Sequence, residues 1–437
     1  MALQNWLFLA STIALGAVPA TAAPLDVTPV ADHHQHLFSP MLANKINGAL
    51  APYAAVPPTI RSFLGRREAA WNDPKALRKL VTNDVETLTR SRSGWIRGGD
   101  KVADYLGTLF GRSVSYTPTQ IRVHGNSAEL SGYYTRGSGP ERQTLGFFQM
   151  SLERGPAGWR MSREVPIFPI PEEQKPITAE DLIALLGAAG IRKAVVLSEA
   201  FWWDSPALGD SDPLDEVRAE NEWTAQQVAK YPDRLVAFCS FSPLASYALA
   251  ELDRCAADKR FRGLKLSFAM SGIDITKPEH LAAVQALFRA ANGRRLPITV
   301  HLSSGRGYGE EHARLFVDKV LPLAPDVDVQ IAHLWGGEAF SKPALDVLVD
   351  AVRRQLPGTS RLYFDTAEIW TAGSQANLEA AAQAIGAVGV WRVRYGSDAA
   401  LNGRLKPVEA WRRLQFDVPL DDNTYRALAR QVAIVLP

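Results

Sequence analysis

From about residue 172 onward the chain alternates short apolar runs with longer stretches of helical periodicity, and this alternation restricts the fold more than any other feature. The strand-like runs are Lys193–Leu197, Leu235–Cys239, Gly263–Leu266, Ile298–His301, Val329–His333, Leu362–Asp365 and Val393–Asp398. Segments such as Asn221–Tyr231 and Ala245–Asp258 have the period of helices. Thr178 is placed to cap a helix over Ala179–Ala189, with Glu180 and Asp181 in its first turn, and Gly190 closes it. Near-continuous apolar strands separated by helices belong to parallel sheets covered on both faces. An eighth strand precedes them all, in Val30-Ala31-Asp32-His33-His34-Gln35-His36-Leu37. Eight is the number that closes a barrel, so the expected fold class is α/β, a (β/α)8 TIM barrel.

The stretch between the first strand and the rest has a different texture. Helical segments through Ala69–Trp71 with Leu77–Leu80, and over Asp100–Leu106, are followed by period-two runs at Ile121–His124, Ala128–Tyr134, Gly146–Leu152 and Trp159–Ser162. Turns fall at His124-Gly125-Asn126, Gly137–Pro140 and Gly155–Gly158, and a Pro-rich connector over Pro166–Pro171 ends the segment. Helices followed by a run of strands make an inserted α+β domain, here residues 57–171, leaving 24–56 and 172–437 to the barrel. With Trp71-Asn72-Asp73-Pro74 and Gly94-Trp95-Ile96-Arg97-Gly98, this order resembles the cone fold shared by ketosteroid isomerase and nuclear transport factor 2-like proteins. Such cones often enclose a pocket, which Asp100, Tyr133 or Tyr134 could line, but a non-catalytic insert that packs on the main domain or makes a dimer contact is the preferred reading. An insertion after the first barrel strand lies at the catalytic face, where it is expected to roof the active site.

Charge is nearly balanced, 48 Lys+Arg against 46 Asp+Glu, which argues against a dedicated nucleic-acid binder. The apolar run Trp6–Val18 followed by Ala20-Thr21-Ala22 has the pattern of a secretory signal cut near Ala22 or Ala23, although no positive charge precedes Trp6. Export to the periplasm or beyond is the expected address, with no membrane span left after cleavage; a homo-oligomer stays open. The two cysteines, Cys239 in a strand-like run and Cys255 in a helix-like one, read as buried free thiols.

The chemistry starts at His34 and His36, which share one face of an extended strand, so two imidazoles can hold one cation while His33 points away. Lys265, His301, His333 and Asp398 each fall at or near the C-terminal end of a later strand, where a barrel collects its functional groups. Imidazole nitrogens with a carboxylate suit Zn2+ or a similar divalent ion that keeps a position open for water, whose pKa it would bring down to about 7. Asp398, beside that water, is placed to take its proton. Trp203, after the second strand, and Trp335, after the sixth, suggest an aromatic mouth for a planar or apolar substrate, although both also suit loop packing. Arg306, in the loop after His301, is a candidate partner for a substrate carboxylate.

Asp32-His33-His34-Gln35-His36, Gly263-Leu264-Lys265, Val300-His301, Ala332-His333 and Gly396-Ser397-Asp398, with Thr178–Leu182 and Tyr231–Leu235, resemble the amidohydrolase superfamily. The likeness is to its "amidohydrolase 2" group, which also contains metal-dependent decarboxylases. The resemblance implies that His34, His36, His301 and Asp398 bind a metal and that His333 is a second-metal ligand or a catalytic imidazole. Lys265 occupies the strand where binuclear relatives carry a carboxylated bridging lysine; the other motifs look most like the mononuclear branch, so one ion is preferred to two. The expected activity is hydrolysis of an amide, ester or lactone in a small molecule. The alternatives are non-oxidative decarboxylation on the same ligand set, or a binding protein that keeps the metal without catalysis.

Overall fold

A computed structural model describes residues 25–49, 55–88, 95–109, 114–136, 143–167, 175–205, 213–303, 308–337, 340–398 and 406–437. The expected signal segment and its cleavage site lie outside them, as does Arg306. The described residues divide into two units, one of them within Lys45–Glu173 and the other built from those before Lys45 and from those of Gln174–Pro437. The first boundary thus falls inside the helix Pro40–Ala49, earlier than the residue 57 expected from composition.

In chain order the strands are β1 (Ala31–Gln35); β2 (Val81–Leu88), β3 (Trp95–Arg97), β4 (Ser115–His124), β5 (Ser127–Arg136), β6 (Gln143–Gly155) and β7 (Gly158–Ile167); then β8 (Lys193–Leu197), β9 (Leu235–Ser240), β10 (Phe261–Ser267), β11 (Ile298–His301), β12 (Val329–Ile331), β13 (Leu362–Asp365) and β14 (Val393–Arg394). The first and the last seven form one parallel eight-stranded sheet in the order β1-β8-β9-β10-β11-β12-β13-β14, the expected (β/α)8 barrel. Every residue of β1, β9 and β11 is buried, as a sheet covered on both faces requires. The Thr178 cap is a full capping box: Thr178 Oγ1 accepts from Asp181 N and Asp181 Oδ2 accepts from Thr178 N.

The seam between β1 and β14 is stitched differently from the other junctions. His33 N donates to Tyr395 O at 2.8 Å and Asp398 N to His34 O at 2.9 Å. The Asp32 carboxylate completes the join, accepting at Oδ1 from Ser397 N (3.0 Å) and His34 N (3.1 Å), and at Oδ2 from the Ser397 hydroxyl (2.6 Å) and Gln35 Nε2 (2.8 Å). His33, facing away from His34, donates from Nδ1 to Tyr395 O and accepts at Nε2 from Ala433 N. Gly396 is required here, since a Cβ would stand 2.8 Å from His34 Cβ and 3.3 Å from Asp365 Cβ.

The inserted unit is a six-stranded sheet in the order β3-β2-β7-β6-β5-β4 with the helices Pro58–Ala69, Pro74–Arg78 and Gly99–Thr108. Its core gathers Phe63, Leu77, Val85, Val102, Leu106, Leu130, Phe148, Met150, Trp159 and Met161. The sequence reading missed β2 and β3, and β7 runs into the expected connector, to Ile167. Asp100 does not line a pocket: its side chain is 88% exposed and pairs with Arg78 at 2.9 Å. Tyr134 is fully buried and Tyr133 partly so.

The expectation of free thiols is corrected. Cys239 in β9 and Cys255 in the helix Ala248–Ala257 are joined in a disulfide. Returning after β9, that helix brings the two Cα atoms to 6.2 Å, inside the range a disulfide spans. No helix among the described residues is long and apolar enough to cross a membrane.

Candidate metal centre

The barrel strands deliver their polar residues to one place. His34 is the penultimate residue of the buried strand β1 and His36 follows that strand; Lys265 lies near the end of β10, His301 ends β11, His333 follows β12 by two residues, and Asp398 follows β14. His34 and His36 stand with ring centroids 5.1 Å apart, His34 and His333 at 5.2 Å, and His301 and His333 at 4.8 Å.

Hydrogen bonding assigns the tautomers, because a carbonyl oxygen only accepts. His36 Nδ1 lies 2.9 Å from Leu197 O and His333 Nδ1 lies 2.9 Å from Ala367 O, so both Nδ1 atoms carry protons. His34 Nδ1 lies 3.0 Å from Asp365 Oδ2, and Asp365 is surrounded by donors: Gln330 Nε2 at 2.9 Å, His333 N at 2.8 Å and Ala367 N at 3.1 Å. In the neutral rings, therefore, each Nε2 is an acceptor. All three face Asp398, His36 at 3.4 Å from Oδ1, His34 at 3.8 Å and His333 at 4.0 Å from Oδ2.

Acceptors converging on a carboxylate at these separations repel unless a cation lies between them. Donors bound at 2.0–2.1 Å to a tetrahedral ion stand about 3.3 Å apart, close to what His36 and Asp398 show. His34, His36 and Asp398 form one group whose donor atoms lie within 4.8 Å of one another, and His333, Glu368 and Asp398 form another. The residues therefore fit a divalent ion. His301 belongs to neither group and stands beside His333. Lys265 Nζ lies 3.3 Å from His34 Nε2.

Burial is the first influence on ionisation here. It drives His34 and His301 well below the usual histidine range, helped by the Lys265 ammonium. It also raises Asp398 to about 6, against the opposing pull of His36 and Lys265. For His36 burial again disfavours the charge, but the Glu199 carboxylate outweighs it and the net shift is upward. The backbone is strained at the same place: His333, Leu334, Glu368 and Asp398 all adopt positive φ, between 53° and 57°.

Three participants escaped the sequence reading. Asp365 at the end of β13 orients His34, Glu199 two residues past β8 touches His36, and Glu368 stands near His333 and Asp398. Asp365 carried a usable signal, since it ends its strand as His301 does. The tryptophans are packed: Trp203 is 4% exposed and hydrogen-bonds Glu220, and Trp335 is fully buried with its ring edge-on to Phe340.

The family model described as "Amidohydrolase" matches residues 213–433. No curated protein sequence matches the chain. Among solved structures, a putative 2-pyrone-4,6-dicarboxylic acid hydrolase from Pseudomonas putida is similar, with 17% identity, TM-score 0.41, and 59% of this chain and 85% of that one covered. A 5-carboxyvanillate decarboxylase from Sphingomonas paucimobilis has 16% identity and TM-score 0.40 over 56% of this chain and 79% of that one. A nuclear transport factor 2-like protein of unknown function from Shewanella oneidensis has 15% identity and TM-score 0.21 over 25% of this chain and 95% of that one.

Proposed function

The chain belongs to the amidohydrolase family, and from that premise we propose that it is an exported, metal-dependent hydrolase that opens an amide, ester or lactone carbonyl in a small molecule, with Zn2+ as the ion. The observation that supports this reading is the convergence of the Nε2 atoms of His34 and His36 on Asp398. These three would hold the cation. Once bound, it supplies Lewis acidity and a water of lowered pKa.

The protein groups do the rest. Asp398 accepts a proton at its carboxylate from the attacking water and returns it to the leaving group. Asp365 keeps the proton of His34 on Nδ1, so that Nε2 remains a donor of electrons. Neutral His333 presents Nε2 as an acceptor, which suits it to holding a water or a substrate hydroxyl; polarising a carbonyl would require its imidazolium form.

The test is turnover in H2-18O. Purified protein, analysed for metal, is screened against pooled amides, esters, lactones and hydroxybenzoates. Label incorporated into product is the expected result; an unlabelled product formed with release of CO2 would replace hydrolysis by decarboxylation on the same residues.

A further inference from the structure

We propose that Glu199 is a positioning residue for the ligand His36, and that Trp202 dictates which oxygen of Glu199 does the positioning. The inference rests on the metal-centre reading above. His36 Nδ1 meets two acceptors, the Leu197 carbonyl oxygen at 2.9 Å and Glu199 Oε1. Glu199 is 1% exposed, and its other oxygen, Oε2, accepts the indole N–H of Trp202. Trp202 itself is 4% exposed, so this N–H has no bulk water to turn to. The Leu197 carbonyl is sufficient to keep a proton on Nδ1. What the carboxylate adds is negative charge behind the ring, which makes Nε2, 3.4 Å from Asp398 Oδ1, a better ligand. Asp365 does the same for His34, so each histidine of the motif has its own carboxylate, one from the end of β13 and one from just past β8.

The clamp gives the idea a signature. In Glu199→Gln the Trp202 N–H holds the amide oxygen at the Oε2 position, which turns the amide NH2 toward the His36 Nδ1–H. Two donors then face each other, and His36 must tilt or lose its partner. Replacing Trp202 by Phe in that background frees the amide to flip and present its oxygen to His36. A residue that merely fills space at position 199 has no such dependence on Trp202.

The full-length protein is stripped with a chelator and titrated with Co2+, following the visible ligand-field band and the affinity by chelator competition; thermal unfolding of the metal-free proteins runs alongside. Glu199→Gln should bind Co2+ about 10–100-fold more weakly than wild type, with a shifted band. Trp202→Phe alone should stay within about threefold, and Glu199→Gln/Trp202→Phe should regain a substantial part of the loss. Affinity and band of Glu199→Gln equal to wild type would overturn the inference, as would a double variant no better than the single one. If Glu199→Gln does not fold, Glu199→Asp takes its place: withdrawing the carboxylate by one methylene should weaken binding about tenfold, and wild-type affinity there overturns the inference too. A wild-type protein that binds no divalent ion would instead remove the metal-centre reading itself.

Discussion

Among the described residues each unit has a buried centre of charged and polar side chains, and the two are built on opposite plans. In the inserted unit Arg67 and Glu164, both fully buried, meet through Nε and Nη2 at 3.3 and 3.2 Å from Oε2, while Tyr116 and Tyr134 donate to Oε1 at 2.6 and 2.8 Å. Burial pushes both phenols well above their usual range, which keeps them as donors. The Arg67 guanidinium lies 4.5 Å from the centre of the Trp71 ring. Charge is matched, and the Glu164 carboxylate accepts from the guanidinium and from both phenols. In the barrel the Nε2 atoms of His34, His36 and His333 all face Asp398, each within 4.0 Å of a carboxylate oxygen. A charge-matched pair holds a fold together; a set of imidazole nitrogens and a carboxylate is the kind of donor set that suits a cation.

That contrast is exposed to test, first where it should be largest. His34→Ala and His36→Ala should lose the ion, and turnover should fall by at least about ten-thousandfold, ~5.5 kcal/mol, with the inserted unit intact. Retained metal in the double variant would mean that the convergence is not a ligand set.

The self-contained centre should respond in stability alone. Arg67→Met leaves Glu164 as an uncompensated buried charge and should cost about 3–5 kcal/mol in denaturant unfolding, with metal content unchanged. Arg67→Met/Glu164→Gln removes both charges yet keeps an acceptor for the two phenols, and should recover most of that loss. A double variant as unstable as the single one would show that the pair is more than a structural element.

A third, smaller effect is expected at Glu220 in the barrel unit, which is buried, accepts from the Ser39 hydroxyl and is pushed up to about 7 chiefly by burial, with Glu199 adding to it. A carboxyl raised in the folded state binds its proton more tightly there than when unfolded. Its contribution is therefore fully present below about pH 4.5 and is lost as pH rises through 7. The loss is at most about 3 kcal/mol for a shift of this size. Glu220→Gln should flatten that part of the stability–pH curve between pH 5 and 8; an unchanged slope would assign the dependence elsewhere. The smallest effect belongs to Asp100→Asn, which breaks only an exposed pair with Arg78 and should change stability by less than about 1 kcal/mol and turnover not at all. A thousandfold loss of kcat there would move catalysis into the inserted unit.

Legibility followed how local each signal is. The capping box at Thr178 needs four residues, the strand ending at Leu197 announces itself by an apolar run, and those ending at His301 and Asp365 by apolar runs with a polar end. The strand Val81–Leu88 was hidden because its middle, Thr82-Asn83-Asp84, is polar, and because it follows directly on Leu77–Leu80, which read as helical. His34 and His36 were visible because their spacing alone puts them on one face. Asp365 and Glu199 were not singled out, because a carboxylate after a strand looks like any helix cap until the fold turns it against a histidine ring. The pairing of Cys239 with Cys255 likewise depends on a helix folding back, and sequence spacing does not show that.

The seam of the barrel sets an order of events. His34 and His36 lie on and just past the first strand, yet β1 finds its neighbour only when Ala31 meets Lys193, after the whole inserted unit has been made. Asp398 comes later still, past the final strand, and is held by its own N–H to the oxygen of His34. On a growing chain the histidine pair therefore waits, and the centre does not exist until residue 398 has left the ribosome. An ion held by His34, His36 and Asp398 could be acquired only after the seam has closed, and it would rivet the beginning of the barrel to its end.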